Sequence, residues 1–318
     1  MSTVVYRGQT YDIGTQSVLD GLSSHGVTIP SSCHIGVCQT CLMRALSGNA
    51  PPKAQAGLKP ALAAQNYFLA CCCYPEQEIE IALPETNIGR VNARITSLRY
   101  LNADILGIGL MPSRPFEYKA GQFINFFKDE YTARCYSLAS VPELDGELSL
   151  HMKRVPEGVV SSWIFRTAQP GDTVTISEAM GDCFYTPGKP EQNILLIGTG
   201  SGLAPLYGII RDALFHKHSG RICLYHGSYR PEGLYLIDEL TRMAGIHHNL
   251  TYVPCVSDGI PPPGYAYGPV LDVALQQHSD LSGWRVYLCG NPDMVKAGKK
   301  KTFFAGGSMR DILADPFA

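Results

Sequence analysis

The sequence predicts a multidomain protein of mixed α+β and α/β class, and three observations carry that prediction. With 318 residues the chain exceeds the usual domain length of about 100–150 residues, so it should hold two or three domains. Short β-like runs recur between residues 91 and 177, which is typical of an antiparallel barrel or sandwich. After residue 190 strands and helices alternate, which indicates a parallel α/β sheet. We therefore expect three domains, at residues 1–88, 89–189 and 190–318.

Composition and charge exclude several classes of protein. Hydrophobic residues make up 45% of the chain and charged residues 17%, which is ordinary for a globular protein and does not indicate disorder. A net charge of −2 provides no general attraction for nucleic acid or an anionic membrane. The N-terminus lacks a basic region followed by an apolar core, and no stretch reaches about 18 uninterrupted apolar residues. We expect a cytoplasmic monomer with no nucleic-acid or membrane partner.

The N-terminal region predicts a small α+β domain. Residues 4–13 have the pattern of a strand, a turn and a second strand, and Ser17 is a suitable cap for a helix that follows. Residues 30–41 are rich in Ser, Gly and Cys without a sustained period, so they should form a loop. A strand at residues 78–83 closes the domain, and residues 85–89 form the boundary to the next one.

The later elements follow from local patterns. One helix, Val159–Thr167, interrupts the middle region, and the last region begins with a strand at Ile194–Ile197 and a helix at Leu203–Phe215. The expected strands of the middle region are Ala93–Leu98, Ile105–Leu110, Gln122–Phe127, Cys135–Ala139, Glu147–Lys153 and Thr173–Ser177.

Four cysteines form the most specific motif of the chain. Cys33, Cys38 and Cys41 have the spacing C-x₄-C-x₂-C, and Cys71 follows at a distance. A plant-type [2Fe–2S] cluster takes three thiolates from one such loop and a fourth from a separate segment. Two alternatives remain: buried free thiols, and a structural zinc site, which usually takes two pairs of closely spaced cysteines. Only Cys38 and Cys41 form such a pair, so we predict cluster ligation.

Residues 3–84 resemble the plant-type ferredoxin family, whose fold is a β-grasp. In that family the fourth ligand follows an apolar residue and an alanine, as Leu69 and Ala70 precede Cys71 here. On an extended backbone Cys72 would face away from the irons, and Cys73 would lie about 6–7 Å further along. The resemblance therefore implies that Cys71 is the fourth ligand.

Two segments of the middle region have the chemistry that a flavin needs. An isoalloxazine ring requires an aromatic face and hydrogen-bond donors, and its phosphates require a cation and free N–H groups at a helix start. The tetrapeptide Arg134–Ser137 and the helix start Gly158–Ser161 offer these groups, although alone the first is equally an edge-strand arginine with a packed tyrosine. Together they resemble the ferredoxin–NADP⁺ reductase superfamily. The resemblance implies flavin contacts at Arg134, Tyr136, Ser137, Gly158, Val160 and Ser161, with Lys153 as a further contact, and FAD rather than FMN.

The nicotinamide segment begins at the strand Ile194–Ile197. This strand runs into a loop with glycines at 198, 200 and 202 and then into a helix, which lets backbone N–H groups approach a pyrophosphate. Leu203 breaks the G-x-G-x-x-G fingerprint, so an ordinary Rossmann dehydrogenase is not expected. The loop resembles the reductase superfamily instead, which implies nucleotide-binding roles for Gly198, Gly200 and Gly202.

Further residues of the nucleotide site lie near the C-terminus and after a middle strand. Cys289 and Gly290 resemble the loop that lies beside the nicotinamide in this superfamily, although a plain strand end is the alternative. Ser228 and Arg230 follow the strand 221–225 without the acidic residue that would bind a ribose 2′-OH, so the donor is NADH or NADPH, with NADH favoured by the resemblance. Phe317 resembles the terminal aromatic residue that covers the flavin, and a frayed terminus is the alternative. The residues expected at the reaction centre are Cys289, Tyr136 and Phe317.

The order of the three segments resembles that of reductase components of bacterial multicomponent oxygenases. A nicotinamide gives two electrons as a hydride, a cluster accepts one, and a flavin can do both. We predict hydride transfer to FAD and then single-electron steps through the cluster to an acceptor protein, an oxygenase component or its ferredoxin. Two alternatives remain at this point: a non-catalytic ferredoxin-type carrier or sensor, and a free-standing reductase of small acceptors.

Overall fold

The computed structural model describes residues 2–84 and 88–317, which form two compact units. The first unit comprises Met1–Asn92, Asn125–Cys135 and Val174–Glu178, and the second comprises Ala93–Ile124, Tyr136–Thr173 and Ala179–Ala318. Within the described ranges no helix is long and apolar enough to cross a membrane. Residues 85–87 of the expected first boundary lie outside the described residues.

The N-terminal sheet has the strand order β2-β1-β5-β3-β4, with β1 parallel to β5 and antiparallel to β2. Arg7 and Gly8 both have positive φ, 52° and 75°, as the tight turn of a two-residue hairpin requires. The predicted hairpin is therefore confirmed. The elements are β1 (Ser2–Tyr6), β2 (Gln9–Gly14), α1 (Val18–Ser24), β3 (Leu42–Ser47), α2 (Pro60–Ala64), β4 (Tyr67–Leu69) and β5 (Ile79–Ala82), with 3₁₀ helices at Pro52–Gln55 and Ala70–Cys72.

Helix α1 closes over this sheet. The Ser17 hydroxyl accepts a hydrogen bond of 3.1 Å from the Asp20 backbone N–H, which satisfies one of the free N–H groups of the first turn. Val18, Leu19 and Leu22 are buried in the same core as the sheet strands. The Ser17 cap and the helix predicted to follow it are thus confirmed.

The middle sheet has the strand order β10-β7-β6-β11-β8-β9. The pairs β10–β7, β6–β7 and β11–β8 are antiparallel, as predicted. Each expected strand is present, with ends that differ by a few residues, and the expected helix is present at its predicted bounds. The elements are β6 (Arg90–Tyr100), β7 (Ile105–Pro112), β8 (Phe123–Phe127), β9 (Ala133–Ser137), β10 (Leu148–Lys153), α3 (Val159–Thr167) and β11 (Thr173–Ser177).

The C-terminal sheet is parallel, with the strand order β15-β14-β13-β12-β16-β17. Residues 194–197 of β12 are all buried because helices cover both faces, which explains their continuous apolar run. The chain leaves β12 toward β13 on one side and later returns to β16 on the other, so the carboxyl ends of β12 and β16 form a switch point where ligands bind in open α/β sheets. The elements are β12 (Ile194–Thr199), α4 (Leu203–Phe215), β13 (Ile222–Ser228), α5 (Ile237–Ile246), β14 (Leu250–Val256), β15 (Ala266–Tyr267), α6 (Val270–Gln277), β16 (Arg285–Gly290), α7 (Pro292–Phe304) and β17 (Ile312–Pro316).

Candidate redox site

The four predicted cluster ligands lie as two pairs. The backbone N–H of Cys38 donates to the Cys33 sulfur at 3.3 Å, and the N–H of Cys33 donates to the Cys38 sulfur at 3.4 Å. The sulfurs of Cys41 and Cys71 are 3.3 Å apart. Among the described residues no group of three or more side chains is gathered for one metal ion, whereas a [2Fe–2S] cluster has two irons that share four thiolates. The two pairs fit such a cluster.

The conformation of the ligand loop turns backbone N–H groups toward the sulfurs. Gly36 has φ of +80°, and a Cβ there would lie 2.7 Å from the Cys72 sulfur. The N–H of Ile35 donates to the Cys33 sulfur at 3.5 Å, and the Thr40 hydroxyl donates to the Cys38 sulfur at 3.2 Å. Such hydrogen bonds stabilise negative charge on ligating sulfur.

The consecutive cysteines 71–73 do not follow the extended backbone that the sequence suggested. Cys71 and Cys72 lie in a 3₁₀ helix, Ala70–Cys72, in which successive side chains turn by about 120° instead of pointing to opposite faces. The extended backbone expected at Cys72 was therefore wrong, and the Cys72 sulfur lies 3.7 Å from that of Cys71. Cys73 is completely buried in the N-terminal core. Because Cys71 is the one placed against Cys41, it stays the predicted fourth ligand.

The segment Arg134–Ser137, which the sequence predicts to contact the flavin, lies on strand β9. Arg134 is exposed, and its guanidinium donates to the Ala133 carbonyl at 2.7 Å. Ser137 is buried, and its hydroxyl donates to a carboxylate oxygen of Asp315 at 2.7 Å. Burial raises the pKa of Asp315 to about 6, against the smaller opposite effect of the Ser137 hydrogen bond.

The predicted phosphate site is the start of α3. Gly158 precedes the helix, and no described side chain caps its N-terminus, so backbone N–H groups there suit a phosphate. The Ser161 hydroxyl instead accepts a hydrogen bond of 3.2 Å from the Val155 N–H, and Val160 is completely buried. Backbone groups, more than the Ser161 hydroxyl, are therefore available to a ligand.

The glycine loop after β12 touches the loop after β16. A Cβ on Gly202 would lie 2.4 Å from the Cys289 carbonyl oxygen, and one on Gly290 would lie 2.5 Å from the Thr199 hydroxyl. Only glycine permits this approach. A Cβ on Gly200, which has φ of +53°, would lie 4.0 Å from the Lys153 ammonium, so that side chain reaches the glycine loop.

Cys289 is a neutral thiol at this edge of the sheet. It is completely buried, its sulfur lies 3.7 Å from that of Cys183, and burial raises its pKa well above the ordinary value. A thiol that resists ionisation packs and positions but does not act as a nucleophile. Beside it the Phe317 N–H donates to the Gly290 carbonyl at 2.8 Å and extends the pairing of β17, so the C-terminal segment is not frayed.

Comparisons with known proteins match this arrangement along the chain. Three family models match: a 2Fe-2S iron-sulfur cluster binding domain at residues 4–76, an oxidoreductase FAD-binding domain at 101–185 and an oxidoreductase NAD-binding domain at 196–300. The ferredoxin–NAD(P)⁺ reductase component of a naphthalene 1,2-dioxygenase system from Pseudomonas putida is 31% identical over 95% of this chain and 93% of its own length. The chain belongs to the ferredoxin–NAD(P)⁺ reductase family.

Further relatives of the reductase agree. The reductase subunit of an aromatic O-demethylase from Amycolatopsis sp. is 34% identical over 90% of this chain and 89% of its own length. The crystal structure of an Amycolatopsis cytochrome P-450 reductase superposes with a TM-score of 0.71 and 30% identity, covering 100% of this chain and 99% of that one. The predicted fold class is confirmed. The reductase is an NAD(P)H-dependent oxidoreductase that uses FAD and a [2Fe–2S] cluster.

The sequence did not indicate roles for Asp258 and His226 at the nucleotide edge of the reductase. The guanidinium of the predicted Arg230, which follows β13, forms an ion pair of 3.0 Å with Asp258, which lies just after β14. The completely buried His226 lies with a ring nitrogen 3.3 Å from the Gly200 carbonyl oxygen. Neither pairing has a local motif, since strand order alone brings these residues together.

Proposed function

We propose that the reductase takes a hydride from NADH onto FAD and passes single electrons through its [2Fe–2S] cluster to an oxygenase component or that component's ferredoxin. The observation that carries the proposal is the placement of two cysteine pairs, a flavin strand and a glycine-lined sheet edge on one chain. Relatives of nearly the same length are reductase components of a dioxygenase system and of an O-demethylase. The flavin is the cofactor that accepts two electrons together and releases them one at a time.

Particular residues are proposed for each cofactor. The cluster ligands are Cys33, Cys38, Cys41 and Cys71. The FAD contacts are Arg134, Tyr136, Ser137, Lys153, Gly158, Val160 and Ser161, and the nicotinamide dinucleotide contacts are Gly198, Gly200, Gly202, Ser228, Arg230, Cys289 and Gly290.

The proposed reaction centre contains Cys289, Tyr136 and Phe317. Burial raises the pKa of the Cys289 thiol and so disfavours a nucleophilic thiolate, which suits this residue to positioning the nicotinamide. Tyr136 offers an aromatic face, and Phe317 is fixed through its backbone bond to Gly290. The chain contributes orientation and exclusion of water, and the cofactors supply the redox chemistry.

The proposed organisation is three domains, 1–88, 89–189 and 190–318, in a cytoplasmic monomer. The family-model matches end within each of these ranges, which supports the boundaries. None of the eleven cysteines forms a disulfide, which suits a reducing compartment.

The test combines cofactor analysis with two assays. The purified protein should contain one FAD and two irons per chain. It should reduce ferricyanide through the flavin and cytochrome c through the cluster, with NADH as donor. Genomic or pull-down identification of an oxygenase component, followed by NADH-dependent turnover of the reconstituted pair, completes the test. Zinc in place of iron, or equal turnover with small acceptors after the cluster is removed, contradicts the proposal.

A further inference from the structure

A side chain of the middle sheet holds the cluster loop, within the first compact unit. The Asn125 amide nitrogen donates a hydrogen bond of 2.7 Å to the backbone carbonyl of Cys38. Asn125 lies on β8 and is only 2% exposed. Ser31 and Thr132 also form a backbone bridge between the same two segments of the unit. Because a carbonyl only accepts hydrogen bonds, the amide nitrogen of Asn125 must point at the loop.

Cys135 holds the other end of the same amide. Its thiol donates to the Asn125 side-chain oxygen at 3.3 Å and lies 3.9 Å from the Ser32 hydroxyl. The Asn125 backbone N–H donates to the Ser177 hydroxyl at 2.8 Å. Asn125 is therefore held at both ends of its side-chain amide and at its backbone N–H.

The peptide bond between Cys38 and Gln39, whose carbonyl accepts from Asn125, precedes a residue with an uncommon backbone conformation. Gln39, the residue after Cys38, has φ of +55°, a conformation that residues other than glycine keep only when their surroundings impose it. The Gln39 side chain is anchored separately, by a hydrogen bond of 3.1 Å to the Gly57 carbonyl. The Cys38 carbonyl and the Gln39 N–H belong to one peptide plane. Loss of Asn125 would free this plane to rotate and would shift the Cys38 sulfur with it.

Strand β9 connects this contact to the flavin residues. Cys135 lies between Arg134 and Tyr136, and successive side chains of a strand point to opposite faces. Arg134 and Tyr136, two of the proposed FAD contacts, therefore lie on one face of β9, and Cys135, which lies against Ser32 of the cluster loop, lies on the other. We propose that Asn125, held by Cys135, is a positioning residue that fixes the Cys38 side of the cluster for electron transfer from the flavin. The inference rests on the proposed function, in which one electron leaves the reduced flavin and one enters the cluster at each step.

The test replaces Asn125 with leucine, which keeps the volume and removes both polar ends. Stopped-flow mixing with NADH then separates reduction of the flavin from reduction of the cluster. Flavin-to-cluster transfer should slow by at least about tenfold in Asn125→Leu, because small displacements of reacting groups cost up to about 10²-fold in rate. The visible circular dichroism of the oxidised cluster, recorded without any donor, should also change, since it reports the conformation of the ligand loop. Cys135→Ala should change the dichroism in the same direction by a smaller amount.

The control is Asn92→Leu, which replaces an exposed asparagine on β6 whose side-chain oxygen accepts a hydrogen bond of 3.4 Å from the Thr175 hydroxyl. It should leave both steps and the dichroism unchanged. Asn125→Thr, whose hydroxyl is too short to reach the Cys38 carbonyl, is measured alongside in case leucine prevents folding. Unchanged dichroism together with an unchanged cluster-reduction rate in a folded Asn125 variant overturns the inference. Failure of the wild type to bind a cluster or to reduce its flavin with NADH would instead contradict the proposed function.

Discussion

Ser137 and Asp315 are joined by a hydrogen bond of 2.7 Å, from a strand of the middle sheet to the last strand of the parallel sheet. Both residues belong to the second compact unit, where Ser137 is buried and Asp315 is half-buried. The pKa of the Asp315 carboxyl, beside the proposed reaction centre, is raised to about 6. The free energy of unfolding of the protein should therefore depend on pH.

Asp315→Asn should flatten the pH dependence of unfolding. The folded-state pKa of about 6 lies above the ordinary 3.8, so the folded protein binds this proton more tightly than the unfolded chain. The resulting stabilisation is fully present below about pH 4 and is lost as pH rises through about 6. Relative to the variant, the wild type should gain about 1–3 kcal/mol between pH 7.5 and pH 4. Parallel Tm-versus-pH curves for the two proteins would contradict the assignment.

Cys71→Ser should abolish or severely disturb the visible absorption of the cluster and the reduction of cytochrome c. Hydride transfer to the flavin should survive, because that step does not use the cluster. Cys73→Ser is the matched control, since its thiol is buried in the core and absent from both cysteine pairs. Cys72→Ser should also keep the cluster. Absorption that persists in Cys71→Ser and disappears in Cys72→Ser would show that the ligand is Cys72, whose sulfur is 3.7 Å away.

Asp258→Ala should raise kcat/KM for NADPH relative to NADH. Asp258 neutralises Arg230 and would repel a 2′-phosphate, so its removal frees a guanidinium for that group. Both side chains are exposed to solvent, which limits the change in the kcat/KM ratio to a few-fold. The wild type should prefer NADH, and Arg230→Ala should change that preference little. A strong NADPH preference that Arg230→Ala abolishes would be the contrary result.

Gly202→Ala should raise KM for NADH and lower the free energy of unfolding by about 1–3 kcal/mol, because the new methyl group would meet the Cys289 carbonyl at 2.4 Å. FAD and iron content should remain at wild-type levels. Gly245→Ala in α5 is the control, since nothing lies within 4 Å of a Cβ there and alanine favours a helix. An unchanged KM in Gly202→Ala would place the nucleotide elsewhere.

The sequence predicts those parts of the fold that depend on local patterns. The hairpin turn at Arg7 and Gly8, the Ser17 cap and the apolar run of β12 each follow from a few neighbouring residues. Strands β3 and β4 were not predicted, and β4 is only three residues long, so its identity depends on pairing with β3 and not on its own pattern.

Site residues divide in the same way. The cysteine spacing and the glycine loop are local and were found, whereas Asp258 and Asn125 reach their partners only through strand order. The extended backbone predicted at Cys72 was wrong because three identical residues do not distinguish a 3₁₀ helix from an extended strand. These are tertiary effects that override local preference.

The first compact unit is assembled from three separate stretches of chain, and this limits how freely its parts can be exchanged. A chimera that replaces residues 1–88 with those of a relative would join the donor's ferredoxin loop to this chain's own Asn125. If the donor loop holds the corresponding backbone carbonyl in a different position, the buried Asn125 amide loses its partner, at a cost of about 1–3 kcal/mol. Recombination between reductases of this family is thus constrained by pairs that span the domain boundary. Moving the N-terminal domain therefore requires moving residues 125–135 and 174–178 as well.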